Sequence, residues 1–229
     1  MRRSVRILLY IAFGIVALIV GAVLFYKGVF PTYSYRYRMT VEVAVDGVVH
    51  SGSSVIEVRL MQQPQFIVPV PPVLASVRGE AVFVDLGKGR NVIALLVSGP
   101  NGSNVEYPKY IVSEHFNLST VEYWDLIKYS ELRGSWDLPK DRLPTFVTFA
   151  DLNDPKSARV VAPGEFEQVF GPGVQFKRVW IEMTNASVTR GIEKKIPVIV
   201  EKLREQNKRM QVKKVGSPYS PGLGQFSAF

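Results

Sequence analysis

The first residues of this chain that could do chemistry are carboxylates. Asp151-Leu152-Asn153-Asp154 places two around an amide, and Glu165 and Glu167 follow. Oxygen donors of this kind suit a hard cation, so Asp151, Asp154 and Glu165 are the candidate site of an envelope hydrolase or metal-dependent enzyme. The span lacks the full calcium-loop spacing, however, and Asn-Asp-Pro is ordinary turn-forming chemistry. A structural role is therefore expected, with no metal or cofactor and no catalytic residue. His50 beside a turn and His115 in a loop-like stretch are the only histidines, and both read as surface residues. Gly87-Lys88-Gly89 is not followed by the Lys-Ser/Thr that opens the helix of a phosphate loop. Ser51, Ser53 and Ser54 lie in a strand pattern without an evident base to activate them. Asn101, Asn117 and Asn185 begin triplets of glycosylation form, a pattern that short sequences produce by chance.

A second cluster is basic. Residues 190–214 hold nine Lys and Arg against three Glu, whereas residues 31–189 hold 15 basic and 17 acidic residues. The high isoelectric point thus belongs to the two ends of the chain and does not indicate nucleic-acid binding. Ile192, Ile196, Ile199, Val200, Leu203 and Met210 approximate one helical face, with Pro197 forcing a restart. Lys194, Lys195, Lys202 and Lys208 are then expected on the outer face, for contact with lipid headgroups or an acidic partner.

The elements that must position these groups are mostly strands. From Tyr33 to Val45 apolar and polar residues alternate, and Asp46-Gly47 is a two-residue hairpin turn. If it sets the register, Val45 faces Val48, Tyr37 faces Ile56, Tyr35 faces Val58 and Tyr33 faces Leu60. Arg36 then falls opposite Glu57 on the other face. A proline-punctuated loop is expected over Gln62–Pro72, then a hairpin of Ser76–Leu86 and Asn91–Val97 through Gly87–Arg90. Ser98–Tyr110 reads as loop, Asn117–Lys128 as helix capped by Ser119 or Thr120, and Leu143–Ala150 as a buried strand. Asp154-Pro155 opens a turn, Pro163–Phe170 forms two helical turns closed by Gly171, and Val174–Thr184 is a strand. Expected core residues are Tyr35, Val41, Ile56, Val58, Val82, Val84, Phe146, Val147, Phe149, Phe170, Val179 and Ile181. The fold class is α+β and mostly antiparallel, with a flexible tail over residues 215–229.

Ahead of this domain (residues 31–214) stands an uncharged run from Ile7 to Tyr26, preceded by a basic segment, residues 1–6, with Arg2, Arg3 and Arg6. Twenty residues at about 1.5 Å each span the ~30 Å hydrocarbon core of a bilayer, so residues 7–30 read as a transmembrane helix. Small residues at Val20-Gly21-Ala22 offer a signal-peptidase site, but Val23–Tyr26 continues the run to anchor length. The arginines keep the N-terminus cytoplasmic and place the domain outside. Without cysteine there is no lipoprotein attachment site, disulfide or thiolate metal site.

The segments Arg36–Val43, Ser51–Arg59, Gly79–Gly87, Leu143–Pro155 and Thr189–Pro197 resemble a family of uncharacterised bacterial proteins with an N-terminal apolar segment and one β-rich domain. The resemblance spans about residues 33–200 and implies a bacterial envelope setting without an activity. The expectation is a non-enzymatic interaction module tethered in the inner membrane and facing the periplasm. It would serve as an immunity-type protein or an envelope-complex accessory with an envelope protein partner. A structural spacer within a larger assembly is the further alternative.

Overall fold

An Asp-Gly turn sets the floor of the domain. The computed structural model describes the backbone of residues 2–64, 71–213 and 227–228, and the side chains of residues 9–64 and 71–205. Strands β1 (Thr32–Val45) and β2 (Val48–Gln62) pair antiparallel in the expected register, from Val45 opposite Val48 to Tyr33 opposite Leu60. Asp46 and Gly47 both take positive φ, 51° and 84°, as a turn matched to the right-handed strand twist requires. One face of the hairpin is apolar, and Tyr37, Met39, Val41, Val43, Ile56, Val58 and Leu60 are fully buried beneath it.

The expected strand Ser76–Leu86 is in fact two. β3 (Val73–Glu80) pairs with β2, and β4 (Val82–Gly87) leaves for a second sheet, where it pairs with β5 (Arg90–Ser98) through a Lys88-Gly89 turn. The bend falls at Gly79, φ 155°, where a Cβ would lie 3.1 Å from the Ile56 Cα. Alternation changes phase here, because the even positions are polar at Arg78 and Glu80 and apolar at Val82, Val84 and Leu86, so the corner is marked in the sequence where a single strand was expected. Strands that change sheets in this way form the corners of sandwiches. A six-stranded sheet, ordered β10-β3-β2-β1-β9-β6, faces a four-stranded one, ordered β4-β5-β7-β8. The remaining strands are β6 (Ser135–Asp137), β7 (Pro144–Phe149), β8 (Ala158–Val161), β9 (Val174–Met183) and β10 (Ser227–Ala228). All strand pairings are antiparallel.

Two cores result. The larger lies between the sheets and contains Val82, Val84, Val92, Ala94, Leu96 and Phe146 opposite the β1–β2 floor. The smaller covers the outer face of the four-stranded sheet, where Ile93, Leu95, Val97, Val147 and Phe149 meet helices α5 (Ile192–Lys195) and α6 (Pro197–Lys213). Burial on both faces explains why β5 and β7 read as continuous apolar runs. All the expected core residues are buried. Ile196 leaves helical geometry at φ −133°, the bias that the following proline imposes, and α6 restarts there as expected.

Two helical expectations shift. The supposed loop Ser98–Tyr110 ends within α2 (Tyr107–Phe116), and Asn117, expected to open a helix, closes it in left-handed geometry at φ 51°. α3 (Tyr123–Lys128) is correspondingly shorter, with Ser119 Oγ accepting from the Val121 and Glu122 amides at 3.1 Å each. α2 is fastened to the floor by tyrosines: Tyr35 and Tyr37 donate to the Lys109 and Pro108 carbonyls at 3.1 and 3.0 Å. α4 (Phe166–Phe170) closes at Gly171. Most of the expected tail lies outside the described residues, and Ser227 and Ala228 within it pair with Glu80 and Gly79.

α1 (Arg2–Val29) is the one described helix long and apolar enough to cross a membrane, over Leu9–Val29, and every side chain in that span is exposed. It gives the domain a near end and a far end. At the near end the Pro31 carbonyl accepts from Gln62 N at 3.3 Å. At the far end Asp46 N donates to the Gly173 carbonyl at 3.0 Å, and the His50 Nδ1 lies 2.9 Å from the Asp85 carbonyl.

β4 crosses over the far half of β2 so closely that a Cβ on Gly52 would sit 2.1 Å from the Phe83 carbonyl oxygen. Gly52→Ala should therefore cost about 3 kcal/mol or more, at or beyond the upper end of overpacking penalties. Two residues away, Ser54 Oγ is buried without a hydrogen-bond partner. Ser54→Ala should leave stability unchanged or slightly raised, since it removes an unsatisfied hydroxyl. Thermal unfolding of the two variants of the full chain in detergent checks the contrast.

Candidate functional site

Each candidate carboxylate holds a turn of its own. Asp151 Oδ1 accepts from the Asn153 amide at 2.8 Å and its side-chain nitrogen at 3.1 Å. Asp154 Oδ1 caps the short 3₁₀ turn Pro155–Ser157 by accepting from Lys156 N at 3.0 Å. Glu165 reaches back to Ala162 N at 3.0 Å. Among the described residues no three His, Cys, Asp or Glu side chains are grouped to hold a metal ion. Asp154→Ala should lose about 0.5–2 kcal/mol, the ordinary cost of a helix cap. That loss should be the same with and without calcium or manganese in a thermal melt.

The basic stretch has the expected amphipathic arrangement. Ile192, Ile196, Ile199 and Val200 are buried against the four-stranded sheet, while Lys194, Lys195 and Lys202 are exposed. Lys195 Nζ stands 5.2 Å from the centre of the Phe83 ring. Lys202 Nζ donates to the Asn153 carbonyl at 3.2 Å, so the two clusters singled out in the sequence meet in one place. That place is the far end, because the neighbouring Phe149 exchanges hydrogen bonds with Asn91, next to Arg90, which donates to the Phe170 carbonyl at 3.0 Å. Lys208 belongs to α6, and its side chain lies outside those described.

A charged face escaped the motif search because its partners come from distant strands. On the outer side of the six-stranded sheet Glu57, 2% exposed, accepts from Arg36 at 2.9 Å and from Arg59 at 2.7 Å. Only the Arg36–Glu57 pair follows from the hairpin register. Six residues farther along β1, Arg178 grips Glu42 through two nitrogens at 2.9 and 3.1 Å and reaches Asp137 at 3.2 Å, and the Trp180 indole donates to Glu42 at 3.0 Å. Residues 184–191 then strap the face. Thr189 exchanges hydrogen bonds with Val55, and the Glu80 carboxylate accepts from the Gly191 and Ile192 amides at 2.8 Å each.

Burial pushes the Glu57 carboxyl up, but hydrogen bonds and charge from Arg36 and Arg59 outweigh it and hold the group below its usual range. A carboxylate depressed in the folded state stabilises the fold above the unfolded-state pKa of about 4.3, and that contribution fades as pH falls through the lower folded value. Glu57→Gln should therefore lower the melting temperature at neutral pH and flatten its fall below about pH 4.3. Melting curves across pH 3 to 7 test this.

Two clefts remain. One of about 400 Å³ at the near end is lined by Ser34, Arg36, Tyr129, Ser130, Arg133 and Asn185. Its guanidinium groups are committed: Arg36 to Glu57, Arg133 to the Ser130 and Leu132 carbonyls at 3.3 and 2.7 Å. The other, of about 250 Å³, includes Tyr107, His115, Trp136 and the Glu114–Arg142 ion pair. His115 lies in the last turn of α2 rather than in a loop, stacked on Trp136 at 3.9 Å, and partial burial lowers its pKa. His50 is half-buried in β2, and Ser54 is buried away from any base. No family model, no curated protein and no solved structure matches the chain. The resemblance drawn above rests on its sequence segments alone.

Proposed function

We propose that the protein is a single-pass protein of the bacterial inner membrane, with its N-terminus cytoplasmic. Its periplasmic domain is a non-enzymatic interaction module, serving as an immunity-type protein or an accessory of an envelope complex. The observation that carries this reading is how the reactive residues are used. The candidate carboxylates, the arginines of both clefts and the tyrosines beneath α2 are occupied in holding turns, straps and strands. The four-stranded sheet, by contrast, ends in an open edge. Among the described residues β8 pairs only with β7, and Val160 on it is 49% exposed. An edge strand offers unpaired N–H and C=O groups to an incoming strand, the usual route to peptide capture by sheet extension.

Two experiments test the proposal. A reporter active only outside the cytoplasm, fused after Phe229, should be active, and an inactive fusion would defeat the topology. A photo-crosslinker at Val160 of the membrane-embedded chain should trap one partner in high yield, and Val160→Asp should abolish its co-purification at unchanged melting temperature. Trace yields of many proteins would discard the reading of β8.

A further inference from the structure

We propose that the near end of the domain makes a second contact with the membrane, seating an aromatic edge in the headgroup region of the bilayer that holds α1. The inference rests on the reading of α1 as a membrane span. Strand register defines the edge. Thr32, the first residue of β1, is opposite Met61, and Met61 is opposite Leu74 of β3. Leu74 thus stands in the same cross-strand row as the exit of α1, two strand spacings or about 10 Å away. In the next row Tyr33 lies beside Tyr123 on α3, and burial together with the neighbouring Tyr123 phenol raises its pKa. α3 is held there from inside, because Leu126 is fully buried and Tyr129 stacks on Tyr35 at 4.8 Å.

Most of the large side chains left outward on this edge are apolar, with the acidic Glu122 exposed among them. Trp124 is 74% exposed, Tyr123 45%, Val121 46% and Leu74 46%, with the Trp124 and Tyr123 rings packed edge to face at 5.2 Å. Lys128, paired with Asp125, adds a cation beside them. Trp and Tyr prefer the boundary between headgroups and acyl chains, where the ring is desolvated and the N–H or O–H stays wet. Exposed valines also occur at the far end, at Val48 and Val49, but without aromatic neighbours or an adjoining membrane helix. What covers the near edge follows from where it lies: the anchor ends in the same rows of the sheet.

The chain has no cysteine, so single reporters can be placed in the full-length protein without background. Val16→Cys in α1, Val121→Cys at the near edge and Val48→Cys at the far turn would each carry an environment-sensitive fluorophore. The protein would be reconstituted in liposomes containing lipids quenching at shallow or deep positions. Deep quenching at residue 16, shallow quenching at 121 and none at 48 is the expected result. Replacing Tyr123 and Trp124 by serine should reduce the signal at 121 several-fold while leaving that at 16 unchanged. Quenching at 16 with residue 121 no different from 48 would overturn the contact and spare the anchor. Absence of quenching at 16 would remove the anchor and the contact with it. A label at 121 shielded from aqueous iodide yet not quenched by lipid would mean that protein covers the edge, which also overturns the proposal.

Discussion

The missing side chain at residue 52 governs how the two sheets come together. Facing sheets ordinarily stand about 10 Å apart, separated by interdigitating side chains. At Gly52 the Phe83 carbonyl occupies the space a Cβ would take, and at Gly79 the Ile56 backbone does nearly the same. Between these contacts one stretch of chain leaves the first sheet as β3 and enters the second as β4. The consequence reaches the outer surface. Because β4 turns away, the edge of β2 beyond Glu57 is free to bond Thr189, and the strap from β9 can cross there to α5. The second core beneath α5 and α6 is thus a downstream result of a bend made possible by glycine.

How much of this was legible in the sequence depends on how local each cause is. The hairpin register could be read because Asp46-Gly47 fixes it and two faces of alternating chemistry check it. The α5–α6 face was legible for a similar reason, with helical spacing and Pro197 agreeing. Failures occurred where a local signal has two meanings. Pro108 just inside the start of α2 is a helix opener, but Gly99-Pro100 and Asn101-Gly102 nearby spoke for loop. Asn117 favours a helix end in left-handed geometry as readily as a helix start. The change of phase between Glu80 and Val82 marks a corner that the single-strand reading of Ser76–Leu86 passed over, and the approach of Gly79 to Ile56 shows how tightly it is made.

The candidate site was less legible, and the reason is again range. Asp151, Asp154 and Glu165 looked like donors because they are close in sequence, and that closeness is what lets each cap its own turn. The interactions with more consequence join residues far apart, such as Glu42 with Arg178 or Glu80 with the amides of Gly191 and Ile192. No spacing rule announces them. Exposure was equally invisible: Trp124 and Trp136 are chemically identical in the sequence, yet one stacks on His115 and the other faces outward.

The two ends of the domain then separate two kinds of contact. β1 has 14 residues, so the floor extends roughly 45 Å at about 3.3 Å per residue. Lys202 is tied to the Asn153 loop at the far end of that span. Screening at physiological ionic strength confines electrostatic attraction to about 8 Å, so a far-end cation on an upright domain lies several screening lengths from the headgroups. Lys202 would reach lipid only if the domain lay on its side. The proposed seating of the Trp124 edge in the bilayer would favour the upright pose and keep Lys202 turned towards solution. The two proposals are thus compatible, since lipid contact at the near end would leave the edge of β8 open to a partner.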